Sequence, residues 1–334
     1  MDPITQGALG AVAAQSFVRE ENKSTLGLAL VAGALGGMAA DLDVFIRSDS
    51  DPLLFLEFHR HFTHSLIFIP AGGLLVALAL LPFMRKRVGF LKLYLMTTIG
   101  YATHGLLDAC TSYGTMLWWP FTNERVSWDN VGIVDPVATL ALIVAMVVAF
   151  KRGSRLIAQL GLAFFISYLL WGVVQRERAE AVIESTIAQR GHSAERLTVK
   201  PTIGNLILWR SIYEHAGLFY VDAVRVPIAG ESKVIVGSSV EKLDPNSVFP
   251  ELPNQSRQRE DIRRFAWFSD DYIGKVPGHE NMIGDVRYAM VPNDVDPLWG
   301  IVVDPNQPES HVEYRTLRGN PREKFGVFLN LLFQ

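Results

Sequence analysis

The sequence predicts an α+β protein, with a multi-span helical membrane bundle followed by a mostly antiparallel, β-rich extramembrane domain. Three observations lead there. Long apolar runs at 66–83, 93–110 and 156–174 contain few or no charges. Near residue 175 the composition changes, and from there charged residues recur every few positions. Beyond that point short blocks rich in Val, Ile, Tyr, Phe and Trp alternate with Gly, Pro and Asn, which is the pattern of strands and turns. A chain of 334 residues accommodates two domains. The expected division is 1–174 for a helical transmembrane domain carrying a metal site and 175–334 for an extracytoplasmic β-rich domain.

Taken in order, the apolar stretches run roughly over 4–18, 25–40, 66–83, 93–110, 133–150 and 156–174. About 20 residues cross the hydrocarbon of a bilayer, so the third, fourth and sixth are long enough, while the first two are short and fit an interfacial or tilted hairpin. Six spans is the favoured count, with four as the alternative. Asp2 and the absence of a basic region before the first stretch argue against a cleaved signal peptide, so this segment is expected to be retained. A helix is expected at 175–189, then strands within 197–203, 205–214, 217–228, 233–241, 263–276, 285–291 and 298–304.

If the stretches alternate in direction, one set of connections holds Arg19, Lys23, Arg85, Lys86, Arg87, Lys92, Lys151, Arg152 and Arg155. The opposite set, up to residue 174, holds only Arg47, Arg60 and Arg125. Nine basic residues against three orient the basic side toward the cytoplasm. The amino terminus and the later domain then face outward, in the manner of a multi-pass protein of a bacterial inner membrane. Trp118, Trp119 and Trp128 fall near the outer face, where indole rings anchor at the lipid interface.

The net charge of −3 and the lack of a basic run interleaved with aromatics argue against duplex nucleic acid as a partner. A single cysteine, Cys110, excludes an intrachain disulfide and a zinc site built on several thiolates, and reads as a small buried apolar residue.

The chemistry-bearing residues gather at the outward ends of the stretches. His104 and Asp108 are four apart on a helical segment and share a face, so they can converge on one ion; a helix-end hydrogen bond between the two fits the same spacing. Asp41 and Asp43, in ADLD, would diverge on a continuous helix but can both point inward where the backbone turns; a solvated loop at a helix end is the alternative. In HRHFTHS, His59 and His64 are the preferred ligands, His61 lies beside the ligands or faces solvent, and Arg60 could hold an anionic oxygen of a substrate. Asp2 and Asp135 fall on the same side. Imidazoles and carboxylates drawn together from separate helices suit a divalent transition metal, zinc first, with one or two ions. His192, His215, His279 and His311 lack ligand spacing and read as ordinary surface or sheet residues.

MDPITQGALG, ADLD, HRHFTHSL, THGLLDACTSYGT followed by LWWPF, and IVDP occur in that order over residues 1–136. In these motifs the chain resembles the inner-membrane-associated metal-dependent hydrolases, the YdjM-like or YfhP-like proteins, and LWRSIY and DVRYAM resemble an extension found in longer members. The resemblance implies Asp41, Asp43, His59, His64, His104 and Asp108 as metal ligands, with Asp2 and Asp135 as supporting carboxylates. It further implies a helical core similar to zinc-dependent phospholipase C and single-strand nucleases, and by that analogy phosphoester hydrolysis. Two positions depart from the family pattern. Thr5-Gln6 stands where many relatives have Thr-His, and His61 stands where the usual motif has glycine.

Metal-activated water acting on a phosphoester or other ester is therefore the leading expectation, with Asp43 or Asp135 as proton shuttle and Arg60 on the substrate. Membrane lipid and an envelope protein are the expected partners. Two alternatives stand beside it: an ion-handling or transport protein, and a structural, partner-binding protein whose helices are stapled by a metal. No GxSxG elbow or phosphate-cradling glycine loop is present, which ranks serine and nucleotide hydrolases low.

Overall fold

In the computed structural model, which describes residues 1–333 apart from Glu20, the first helix begins where Asp2 caps it. The Asp2 carboxylate accepts from the N–H groups of Ile4 and Thr5, and Pro3 occupies the first turn, so α1 (Pro3–Phe17) starts with its free donors satisfied. Its side chains are buried continuously from Thr5 to Ser16, as befits a helix enclosed on all sides. α2 (Lys23–Met38) starts at an Asn22 cap and lies against α1 at main-chain distance. A Cβ at Gly33 would stand 2.4 Å from the carbonyl oxygen of Gly10, so only glycine permits the approach. A 3-10 helix, Ala39–Phe45, continues from α2.

After the short α3 (Leu54–Phe58) come α4 (Ile69–Met84), α5 (Phe90–Ala109), α6 (Pro136–Arg152) and α7 (Arg155–Gln189). Among the described residues three helical stretches are long and apolar enough to cross a membrane: Lys23–Phe45, Leu66–Met84 and Arg155–Gln189. Two of these stretches and the neighbouring α6 are apolar on the outside as well. Leu75, Leu140, Leu160 and Leu170 are each 61% exposed, an exterior suited to lipid rather than water.

The chain separates into two compact units. One comprises Met1–Ile46, Phe58–Val174 and Ile203–Leu206; the other comprises Arg47–Glu57, Gln175–Thr202 and Ile207–Gln334. In the second unit β1 (Arg196–Pro201), β2 (Leu208–His215), β3 (Leu218–Arg225) and β4 (Lys233–Glu241) form an antiparallel sheet in sequential order. After α8 (Arg257–Phe268), β5 (Ile273–Val276), β6 (His279–Asp285), β7 (Trp299–Val302) and β8 (Glu313–Thr316) form a second one, also sequential and antiparallel. The terminal helix α9 (Pro321–Phe333) packs Phe328 and Leu331 against Leu208 and Ala223, while Ile212, Phe219 and Val221 pack with Tyr272 and Val286.

Two strand expectations need correction. Residues 263–268, read as strand, belong to α8, because Ser256 caps the helix and Ile262, Phe265 and Ala266 recur at helical spacing on its buried face. Of 285–291, only Asp285 is in a strand. There the Asp285 carboxylate accepts from the Arg287 N–H at 3.0 Å and from the same residue's guanidinium, a local turn that ends the ladder. The sequence reading also missed most of β6, all of β8, and α9.

Candidate metal centre

Three pieces of local structure carry the donors. The 3-10 winding after α2 presents Asp41 and Asp43. A second 3-10 turn, Phe62–His64, presents His64. One face of α5 presents His104 and Asp108. The last two meet because residue 105 is glycine: a Cβ there would stand 2.1 Å from the carbonyl oxygen of His64, so any side chain would push the His64 turn off α5.

Asp41, His64, His104 and Asp108 each offer one ligand atom within 4.8 Å of every other. The spacings are close to those of a coordination shell. His64 Nε2 lies 3.0 Å from His104 Nε2, 3.5 Å from Asp41 Oδ1 and 3.3 Å from Asp108 Oδ2; His104 Nε2 lies 3.3 Å from Asp41 Oδ1 and 3.6 Å from Asp108 Oδ2. A tetrahedral ion with bonds near 2 Å requires ligand-to-ligand edges of about 3.3 Å.

The imidazole tautomers sharpen this fit. His104 Nδ1 lies 2.5 Å from the carbonyl oxygen of Gly37; a carbonyl can only accept, so Nδ1 carries the hydrogen. His64 Nδ1 lies 3.2 Å from Asp43 Oδ2, which assigns its hydrogen in the same way. In the neutral rings both Nε2 atoms then present lone pairs to each other across 3.0 Å. Beside them Asp108 Oδ2 is buried, with Arg60 Nε 3.0 Å away as its ion-pair partner. A cation between these atoms would relieve the opposition of the two neutral rings, and a ligating histidine held by a carbonyl or carboxylate at its far nitrogen is the usual arrangement around metals.

A second group, Asp41, Asp43 and His59, meets the same proximity criterion and shares Asp41 with the first. It is the more accessible of the two, since its His59 side chain is 22% exposed, whereas His64, His104 and Asp108 are buried. Asp43 is a hub. Its Oδ1 faces His59 Nδ1 at 2.8 Å, and its Oδ2 accepts from the Arg60 N–H and the Thr63 hydroxyl, each at 2.9 Å.

The other expected residues have distinct surroundings. Arg60 is buried, with φ 62° in the left-handed region; its Nε lies 3.0 Å from Asp108 Oδ2 and its Nη1 donates to the Thr111 hydroxyl at 2.9 Å. Asp135 lies outside both groups, capping α6 through Ala138 N–H and accepting from the Tyr168 hydroxyl at 2.8 Å. Asp2 caps α1 and also lies outside them. Gln6 donates to Asp108 Oδ1 at 2.8 Å, so it reaches the ligand carboxylate from the position where many relatives are expected to carry histidine. His61 turns to Trp119, with ring centroids 5.6 Å apart. His192 and His215 stack at 4.3 Å in the second unit, also outside both groups.

Sequence reasoning missed four contributors: Thr63, Gly105, the Gly37 carbonyl and the α-amino group of Met1, which donates to Asp108 Oδ1. Thr63 sat inside the HRHFTHS motif, and its hydroxyl between two histidines was a signal. The Gly37 carbonyl left no signal in side-chain chemistry.

The family model of the YdjM inner membrane protein matches residues 1–179, more than half of the chain. The chain belongs to that family. In this YdjM family member the matched segment contains every Asp and His of the two donor groups, and the two sheets of the second unit lie beyond it. No curated protein and no solved structure matches the chain.

Proposed function

We propose that the protein is a membrane-bound, metal-dependent hydrolase of phosphoesters or other esters. Its helical spans lie in the bacterial inner membrane, with the site and the β-rich unit facing outward. Membership of an inner membrane family, the apolar exterior and the nine-to-three basic bias support the placement. The observation that carries the chemistry is Asp41, shared between a buried four-donor group and a more open three-donor group. The first holds an ion firmly; the second leaves room for water and substrate. Zinc suits nitrogen and oxygen donors at these spacings, with manganese and iron behind it.

A divalent ion bound there would supply Lewis acidity, making a coordinated water acidic near neutral pH and polarising an ester oxygen. The chain's own residues do the rest. Asp43 and the Gly37 carbonyl fix the ring orientations of His64 and His104. Arg60 and Gln6 steady Asp108, so in this reading Arg60 serves the ligand carboxylate instead of the substrate.

The test is elemental analysis of the purified chain, combined with turnover of bis(p-nitrophenyl) phosphate, a p-nitrophenyl ester and phospholipid vesicles. Metal-dependent turnover of one substrate, lost in Asp41→Asn, is expected. A second reading, a metal staple that holds helices together, is favoured by the complete burial of His64, His104 and Asp108 in a group that already offers four donors. Full metal occupancy with no turnover of any ester would decide for the staple.

A further inference from the structure

The donors reach the centre in two blocks of chain, Asp41 and Asp43 in one, His59 onward in the other. The residues joining them, Arg47–Glu57, belong to the second unit. This excursion is anchored there. Leu53 and Leu56 are buried, and the Phe55 ring meets Tyr314 edge-on at 5.0 Å.

One side chain of α8 grips both halves of the excursion. Arg264 donates through Nη2 to Asp51 Oδ2 at 2.8 Å and through Nη1 to Asp51 Oδ1 at 3.1 Å, while its Nε donates to Glu57 Oε1 at 2.5 Å. Nη1 also reaches Asp261 Oδ1 at 2.8 Å, and the other Asp261 oxygen is occupied by His311 Nδ1 and the Val312 N–H. The guanidinium is thus locked from behind by its own helix and clamps Asp51 and Glu57 in front. A planar fork can do this, whereas a lysine ammonium, a single point charge, cannot reproduce it. Glu57 is two residues from His59 and three from Arg60, whose N–H donates to Asp43. Fixing Glu57 therefore restricts the path on which a candidate ligand sits.

We propose that Arg264 is a positioning residue for the metal centre: by clamping Asp51 and Glu57 it fixes the chain between Asp43 and His59, so that ion binding and the order of Arg47–Glu57 are coupled. The proposal rests on the metal-centre reading. It gives the second unit, which lies largely beyond the family match, a definite task in the chemistry of the first. Coupling of this kind is reciprocal: a clamp that tightens ion binding is itself tightened by the ion.

The experiment titrates zinc into the full detergent-solubilised chain against a chromophoric chelator. It compares wild type, Arg264→Gln, the double variant Asp51→Asn/Glu57→Gln, and Arg263→Gln, whose side chain bonds Asn246 on the exposed side of α8. Removing either side of the clamp is expected to weaken zinc binding about 10-fold, in the range found for groups that orient metal ligands, while Arg263→Gln leaves it unchanged. Hydrogen exchange supplies the readout that general destabilisation would not move. Zinc should slow exchange across 47–57 in wild type and lose that effect in Arg264→Gln. If Arg264→Gln fails to fold, the double variant carries the test from the other side. Unchanged zinc affinity in the clamp variants, or zinc protection of 47–57 that persists without Arg264, overturns the proposal alone. A wild-type chain that takes up no divalent ion overturns the metal centre and the proposal together.

Discussion

In the β-rich unit the buried cations meet acceptors. Arg287 forks onto Asp285 at 3.0 and 2.8 Å and donates to the Phe268 carbonyl. Arg210 donates to the carbonyls of Val286, Pro292 and Asp294; burial pushes its guanidinium down to about 10, leaving it charged at neutral pH. The half-buried Arg190 likewise pairs with Asp222 at 2.6 Å. In the helical unit, by contrast, metal-ligand atom types crowd together: two imidazole Nε2 atoms lie across 3.0 Å, with Asp108 Oδ2 beside them and Arg60 Nε 3.0 Å from that oxygen. A buried pair of opposite charges completes itself and acts as structure. A buried convergence of two imidazoles and two carboxylates offers the donor types that hold a metal ion, and that difference in composition separates the two units.

The comparison can be broken most directly at the ligands. His64→Ala and Asp108→Ala are each expected to abolish stoichiometric metal in elemental analysis, and metal retained in both would make the acceptor cluster mere structure. The opposite unit supplies the next largest effect. Arg287→Ala strands the Asp285 carboxylate and should cost about 3–5 kcal/mol in chemical denaturation, while metal content per folded molecule stays the same. Gly105→Ala sharpens the contrast, because it touches no donor. Its Cβ forces the His64 turn away from α5 at a cost of about 1–3 kcal/mol, and metal binding should weaken even though every ligand is present; an unchanged chelator titration would refute the close-approach account.

The smallest expected effect is a pH dependence confined to the clamp. Burial opposes ionisation of Asp51, but hydrogen bonds from Arg264 and the Leu53 N–H hold its carboxyl below the usual carboxylate range. A depressed value means that the stabilisation is fully present above the ordinary aspartate value of about 3.9 and is lost as pH falls through the lower folded one. Protection of 47–57 from hydrogen exchange, taken relative to the intrinsic rate at each pH, should therefore fall on acidification in wild type and respond less in Arg264→Gln. A pH response of equal size in both would remove Asp51 from the account.

The donors were legible in the sequence because their chemistry is rare at the ends of apolar stretches. Asp41, His64, His104 and Asp108 announce themselves by type and spacing, and the third and sixth apolar stretches by their length; the second, read as short, gains its length from the 3-10 winding that carries it to Phe45, and the fourth, read as long enough, is not among the described stretches long and apolar enough to cross. Residues 263–268 misled because Phe, Trp and Phe in one block look like strand, whereas the amphipathic period of α8 is visible only when Ser256 is recognised as its cap. β8 and α9 were illegible for another reason: their stability comes from partners such as Ile301 across the ladder and Leu208 beneath the helix, and these are remote in sequence. The 47–57 excursion was equally hidden, since nothing between Arg47 and Glu57 names Arg264.

The hydrogen on His104 is directed by an atom common to all amino acids. Alanine scanning is blind to such a contact, because every residue type at position 37 presents the same oxygen. Sequence comparison would register only the glycine, whose missing side chain is explained by a different neighbour, the Gln6 carbonyl 2.5 Å from where a Cβ would stand. Part of the wiring of this centre thus lies outside the reach of genetics, and an amide-to-ester exchange would leave that oxygen in place while weakening it as an acceptor.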